Sequence, residues 1–551
     1  MSDERSAEPT ASEPEPGAKQ AAEAERSRAS TDPWATPAPR GEPASWAARV
    51  RPRPPAAVHA ATLWASLATG VLSALLLGEG LGVNLLIVAL ATSIAAYFAA
   101  RQAGRRLRPW TWVWAAGGLA LLVVPALRDA GWSTFLAVAA ALAAGSLALH
   151  GSRTWPGILL GSLGLLNSLV LGVGWAWRGV RDRMSHSRAR WGTAMRTFAA
   201  AAVLLIVFGA LFAGADAAFA DLLAALTPDV SVADGPWRLL LFLFGIVGAL
   251  AAAHTAAAPM RWDLLAVRPG KARARWEWAL PLIVLNLLFS MFIAVQLAVL
   301  LGGYDQVLEK TGLTYAEYAR QGFWQLLGAT LLTLLVIALA LRWAPRTGPR
   351  DRTLIRGVLG TLCLLTLVVV AAALRRMDLY VDAYGLTRLR ISVAAMELWL
   401  GLVIVLIMAA GAFGAQWLPR AVAASAAAAV LAFGLMSPDA MVAERNVQRY
   451  ESTGKIDVSY FHELSADAAP ALDRLPEPLR SCALKGIAED LAGEDNPWYA
   501  TSWGQSRARE ILAERKIIRP YPCPGDRSYE RDRDAYDGEA TKTDGEIGPG
   551  S

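Results

Sequence analysis

The stretch "WPGILLGSLGLLNSLVLGVGWAW", residues 155–177, decides how the chain is threaded. It is apolar and long enough to cross a bilayer, for which about 20 residues suffice, yet it is rich in Gly and bounded by Trp. Around it lie eleven plainer apolar runs, near residues 58–78, 82–100, 110–127, 132–149, 196–213, 236–257, 277–302, 323–343, 354–374, 391–413 and 419–437. If 155–177 also crosses, everything after it changes sides.

Basic residues arbitrate, because Lys and Arg collect in the cytoplasmic loops of membrane proteins. Arg101, Arg105, Arg106 and Arg108 form one cluster, and Arg178, Arg181, Arg183, Arg188 and Arg190 a second. Arg261, Arg268, Lys271, Arg273 and Arg275 form a third, and Arg342, Arg346, Arg350 and Arg352 a fourth. All four share a side only if 155–177 does not cross. The opposite loops, "GEGLG" at 78–82 and the longer 214–235 and 302–322, are then poor in Lys and Arg; the loop 375–390, with four Arg, is the exception. The expectation is an all-α integral membrane protein with 11 transmembrane helices, alternatively 12. In the 11-span register the N-terminus is cytoplasmic and the C-terminus extracytoplasmic.

Composition agrees: 54% of the 551 residues are hydrophobic and 18% charged, against roughly a quarter charged in soluble domains. The net charge of +6 is thus a topology signal and not a nucleic-acid footprint. Residues 1–55, rich in Glu, Ala, Pro and Ser, lack the apolar core of a secretory signal and read as a disordered cytoplasmic leader. Residues 56–437 form the polytopic domain, 438–523 a small helical extracytoplasmic domain, and the charged, Gly-rich 524–551 a disordered tail.

The small domain has apolar residues at helical spacing. Leu479, Cys482, Ala483, Gly486, Ile487, Asp490 and Leu491 fall along one side of one helix, and Trp503, Ala508, Ile511 and Leu512 form the apolar face of another. Three short helices make a thin core, so docking on the membrane part or a covalent link is needed. Cys482 and Cys523, two of three cysteines, are either a disulfide, which suits an oxidising compartment, or two unpaired thiols.

Motifs for chemistry fail. "HEL" at His462 to Leu464 lacks the second His that a zincin helix carries four residues after the first, since position 466 is Ala. Asp216, Asp221 and Asp305 lie outside the context of an intramembrane aspartyl protease, and nucleotide-binding glycine loops do not occur. The expectation is no metal, no cofactor and, on balance, no enzyme. Polar residues at membrane depth are functional candidates by default; Asn167, Asn286, Gln296 and Glu397 qualify. Glu397 is expected to pair with Arg390 or Arg376, or else to line a midplane cavity with Asn286 and Gln296, as a transporter requires. Two further stretches serve as interfacial anchors or recognition surfaces. "LTYAEYARQGFWQLL", 313–327, has a capping box at Thr314 and Glu317 and aromatic Tyr315 and Tyr318. "RRMDLYVDAYGLTRLR", 375–390, turns at Gly385 and sets Tyr380 and Tyr384 one helical turn apart.

Taken together, "FGALFAGADAAFADLL" (208–223), the two stretches just quoted, "NVQRY" (446–450), "GKIDVSYFHELSADAAPAL" (454–472) and "WGQSRAREIL" (503–512) resemble a family of bacterial, largely actinobacterial, multi-pass membrane proteins known as domain of unknown function 4173, with relatives in the neighbouring 4153 group. The resemblance covers roughly residues 60–515 and implies a place in the cytoplasmic membrane; it implies no activity. The leading expectation is a non-enzymatic sensory or scaffolding component whose outer loops and C-terminal domain share one surface: Tyr318, Arg320, Tyr384 and Arg390 near Arg449, Tyr450 and Asp457, with Asn446 a further interaction candidate. Its partners are membrane lipids and a protein at the outer face. A transporter or lipid-handling protein is the alternative.

Overall fold

The computed structural model describes residues 49–216, 235–265, 274–302, 323–344, 348–493, 496–518 and 523. Most of the expected leader, the tail 524–551, and the candidates Tyr315, Glu317, Tyr318 and Arg320 therefore lie outside the described residues. Pro52–Ser551 forms one contact unit.

Among the described residues the secondary structure is entirely helical. In chain order the helices are α1 (Ala60–Leu76), α2 (Val83–Gln102), α3 (Pro109–Leu121), α4 (Gly131–His150), α5 (Trp155–Ser162), α6 (Gly164–Ala215), α7 (Gly235–Ala257) and α8 (Arg275–Gly302). They continue as α9 (Phe323–Trp343), α10 (Pro349–Tyr384), α11 (Arg388–Phe413), α12 (Leu418–Leu435), α13 (Pro438–Thr453), α14 (Leu479–Ala492) and α15 (Trp503–Glu514). Nine helices among the described residues are long and apolar enough to cross a bilayer, ten if the bent pair α5 and α6 counts as one span, while α1 is a shorter apolar helix. The protein is thus a multi-helical membrane protein. Small residues let these helices approach closely, as lipid-embedded packing demands. A Cβ on Gly70 of α1 would sit 2.4 Å from Ile246 Cγ1, and one on Gly245 of α7 2.3 Å from Ser73 Oγ.

The stretch 155–177 bends by 55° between α5 and α6. Its start is held by Asp263, which accepts from the backbone N–H of Arg153 (2.9 Å) and Thr154 (3.0 Å). Its far end meets the segment before α1: Trp175 donates its indole N–H to Ala56 O (2.8 Å), and Gly179 lies against Val58. Gln102 reaches Ala57 O (2.7 Å), Arg105 reaches Leu149 O and Ala256 O, and Arg420 reaches Ser152 O (2.9 Å). The chain near 56–58, 102–105, 149–154, 256–263 and 420 therefore meets at one end, and 155–177 begins and finishes there.

At the other end of the helices lie the turns 78–82, 128–130 and 385–387, and the C-terminal helices rest on them. The loop expected over 375–390 is mostly helix: α10 runs on to Tyr384, Gly385 at φ +81 stops it, and α11 starts at Arg388. Val442, Val447, Phe461, Leu464, Leu472, Leu484, Ile487, Ala508 and Ile511 form one core with Leu386 from the turn, so the thin core is completed by the membrane part. Two expectations need correction. The first turns of α14 are buried on more than the expected side, because Arg480, 1% exposed, is enclosed by Asp473 (2.7 Å), Glu477 (3.2 Å) and Arg515 O (2.8 Å), whereas Asp490, expected on the apolar side, is exposed with Lys485 and Glu489. Trp503 does not join the core; it is 59% exposed, since Ser502 and Gln505 close a capping box that turns the first residue of α15 outward.

Cys482 and Cys523 are bridged across a sequence separation of 41. Closing a loop of that length stabilises the chain by about 4 kcal/mol in the chain-entropy model. Cys482→Ser is expected to lower the melting temperature of the detergent-solubilised protein and to speed proteolysis beyond α15; an unchanged cleavage pattern would show that packing alone holds this segment.

Candidate functional site

The chain reverses after α12 at Ser437, a non-glycine residue at φ +52, and this turn delivers Asp439 into the first turn of α13. Asp439 is fully buried. It accepts from Arg388 Nε (2.8 Å) and Nη2 (2.6 Å), from the Ser465 backbone N–H (2.9 Å) and from Trp132 Nε1 (3.3 Å). Arg388 also donates to Glu463 O, and its backbone N–H donates to Tyr460 Oη (2.8 Å). A carboxylate at a helix N-terminus is favoured by the macrodipole, whereas a cation there is not. Arg388, at the start of α11, therefore depends on Asp439. Burial pushes the Asp439 carboxyl up, but the hydrogen bonds from Arg388 and Ser465 and the Arg388 charge outweigh it and hold the group below its ordinary value.

Beside this pair, Asp129 and Asp467 make a reciprocal clasp. Asp129 accepts from the Ala466 N–H (3.0 Å), while Asp467 accepts from the Asp129 N–H (3.1 Å) and from Ser437 Oγ (2.8 Å). Gly504 permits the approach, since a Cβ there would lie 2.0 Å from Asp467 Oδ1. Burial raises both carboxyls above their ordinary value, only partly offset by these hydrogen bonds.

The third contact involves residues singled out from the sequence. Asn446 brackets Leu386, accepting from its N–H (3.1 Å) and donating to its O (2.8 Å). Arg449 donates to Ala383 O (2.8 Å). Arg390 lies over the Tyr380 ring at 4.2 Å and the Tyr384 ring at 6.0 Å, and donates to Gly385 O. The structure thus brings together Tyr380, Tyr384, Arg390, Asn446 and Arg449. Tyr450 packs partly buried on the C-terminal core, whereas Asp457 is exposed and accepts from Ser459 Oγ (2.6 Å).

Glu397 does not pair with Arg390 or Arg376. It is fully buried in α11 against Thr330 Oγ1 of α9 (3.0 Å), and its Oε2 has no hydrogen-bond partner. Arg376 reaches Gln296 Oε1 (3.2 Å) and Asn286 reaches Val358 O (3.0 Å). At 1.5 Å per residue Glu397 lies about 13 Å along the helix from Arg388, too deep for the Arg side chains of the turn. The central residues of the junction, Arg388, Asp439, Asp129 and Asp467, escaped sequence reading. An Asp straight after Ser-Pro at a helix start was the one local signal for them.

Chemically this arrangement clamps. Its charges meet an opposite charge, backbone N–H groups or the Ser437 hydroxyl. A family profile described as "Domain of unknown function (DUF4153)" matches residues 115–475, which takes in Arg388, Asp439, Asp129 and Asp467 and leaves α15 outside. No curated protein and no solved structure matches the chain.

Removing Arg388 strands a buried carboxylate, which typically costs 3–5 kcal/mol; with Arg388 partly exposed, Arg388→Ala is expected to cost about 3 kcal/mol, read as a lowered melting temperature in detergent. The double variant Arg388→Met, Asp439→Leu should recover much of that loss, and no recovery would mean that the charges themselves are required. Proton linkage gives a second expectation. The raised carboxyls of Asp129 and Asp467 take up protons in the folded state first, so stability climbs as pH falls from neutral towards the ordinary aspartate range near about pH 4. The depressed Asp439 then works the other way, its contribution being lost as pH falls through its lowered value. Melting temperature should therefore peak in mild acid, and Asp129→Asn with Asp467→Asn should flatten the neutral-to-acid rise.

Proposed function

The chain belongs to the DUF4153 family, whose function is unknown, and on that premise we propose that it is a non-enzymatic scaffolding component of a bacterial cytoplasmic membrane, presenting a rigid helical platform on the extracytoplasmic side. The observation that carries this reading is the buried Arg388–Asp439 pair, which ties the platform to the start of a membrane helix. An anion whose two oxygens accept four hydrogen bonds suits a fixed platform.

The proposed threading has eleven crossings, the N-terminus in the cytoplasm and the C-terminus outside. Three observations support it. Arg105, Arg183 and Arg420, from separate parts of the chain, donate from their guanidinium groups to backbone carbonyls at one end of the helices, as the positive-inside bias requires of a cytoplasmic end. The stretch 155–177 starts and finishes at that end. The Cys482–Cys523 bridge lies in the platform, and such bridges persist in oxidising compartments. The transporter reading gains nothing from the polar residues at depth, because each bonds separately, Asn286 and Gln296 to Val358 and Arg376 at different levels of α10 and Glu397 to Thr330 of α9.

An impermeant maleimide is expected to label Cys482 and Cys523 on intact cells only after reduction; labelling that needs permeabilised cells would reverse the orientation. For the scaffold itself, a photo-crosslinking residue at the exposed Arg445 or Gln448 should give a discrete covalent adduct with a membrane or envelope protein in living cells. That adduct should weaken when Arg388→Ala loosens the platform. Labelled cells without any protein adduct from either position would remove the scaffold reading.

A further inference from the structure

The C-terminal helices bury their large apolar side chains almost throughout, with two adjacent tryptophans as the conspicuous departure: Trp498 is 76% and Trp503 59% exposed. Trp498 lies within, and Trp503 directly after, a short segment, 496–502, that is pressed onto the turn joining α1 and α2. A Cβ on Gly80 would lie 2.7 Å from Ala500 O, and one on Gly82 2.7 Å from Tyr499 O, so backbone meets backbone there. The turn cannot give way, because Asn84 donates to both Leu76 O (2.7 Å) and Gly80 O (2.8 Å) and accepts from the Gly82 N–H (2.8 Å).

This fixes the level of the tryptophans along the helices. Val83, the first residue of an apolar helix, is the next residue after the turn. Glu79 of the turn pairs with Arg238 (3.1 Å) near the start of α7, another apolar helix, and the neighbouring Trp237 and Leu81 are also exposed. An ion pair, a tyrosine and three exposed tryptophans thus stand where two apolar helices end. Trp and Tyr favour that level of a bilayer, since the ring suits the acyl boundary and the N–H or O–H the headgroups. α2 and α7, which start at this level, carry exposed Leu90, Ile94, Leu240 and Phe244 further along their lengths, the apolar exposure of helices that face lipid.

We propose that Trp498 and Trp503, with Leu81 and Trp237, form a lipid-contact site at the headgroup and glycerol level, through which the C-terminal helices are anchored in the bilayer as well as clamped to the membrane helices. The occupant is phospholipid of the adjoining leaflet. The site rests on the reading of α2, α7 and α8 as membrane helices, and it adds an anchor independent of the Arg388–Asp439 pair.

The test uses the full chain in phospholipid nanodiscs with a nitroxide at Trp498→Cys or, should that variant not fold, Trp503→Cys. Collision with oxygen, which partitions into lipid, is compared with collision with a water-soluble nickel chelate. Labels at Lys485→Cys, on α14, and at Met291→Cys, exposed on α8, set the references, and the unsubstituted chain sets the background from native cysteines. The expected oxygen-to-nickel ratio at 498 or 503 is several-fold above that at 485 and approaches that at 291. A ratio equal to that at 485 overturns the site, as does protection from both reagents, which would mean that a protein or a second copy covers the tryptophans. If the label at 291 itself collides with nickel as freely as that at 485, the membrane reading falls, and the site with it.

Discussion

The pairing of Arg388 with Asp439 is the constraint around which this structure is arranged. Each residue opens a helix, one at membrane level and one in the C-terminal layer, and each is in a place it could not occupy alone. Asp439 is a fully buried anion, acceptable because four hydrogen bonds and a cation surround it. Arg388 is a cation at a helix N-terminus, acceptable because that anion is there. Once the two are joined, the rest of the junction is placed: Tyr460 meets the start of α11, Asn446 brackets Leu386, and Arg449 reaches the end of α10.

The same junction supplies what the C-terminal helices lack. Their apolar core is small, and it includes Leu386 from the turn between α10 and α11. A disulfide closes its far side and Arg480 holds Asp473 and Glu477 within. This layer is accordingly less a free-standing domain than a cap built on the ends of the helices. The Asp129–Asp467 clasp shows this most directly, since each partner's carboxylate holds a backbone N–H next to or at the other.

Much of this was legible from residue order. Apolar runs located α2, α4, α7 to α9, α11 and α12 within a few residues, because lipid demands helices of about 20 apolar residues and backbone groups bonded within them; α10 runs ten residues past its apolar run, to Tyr384. The turn at Gly385 was legible because only glycine accepts φ +81 readily, and the motifs pointed to Arg449 lying near Tyr384, which its bond to Ala383 O provides; the part of Asn446 in the same contact was not foreseen. Glu397 was misread: it lies about two turns along α11 from Arg390, which stacks on Tyr380 instead, while Arg376 reaches Gln296. Trp503 was misread too, as helical periodicity cannot tell which apolar residue at a helix start is turned outward by its cap.

The sequence by itself determined that this is a helical, lipid-embedded chain with basic residues gathered between apolar runs and a polar helical end, since length, hydropathy and charge are local properties. It also posed the question of residues 155–177 without closing it. Tertiary structure decided that this stretch starts beside Asp263 and finishes beside Ala56, and that Asp439 finds Arg388 across 51 residues. Those outcomes depend on which backbone carbonyls and buried charges meet across the fold, and such partners leave no trace in local spacing.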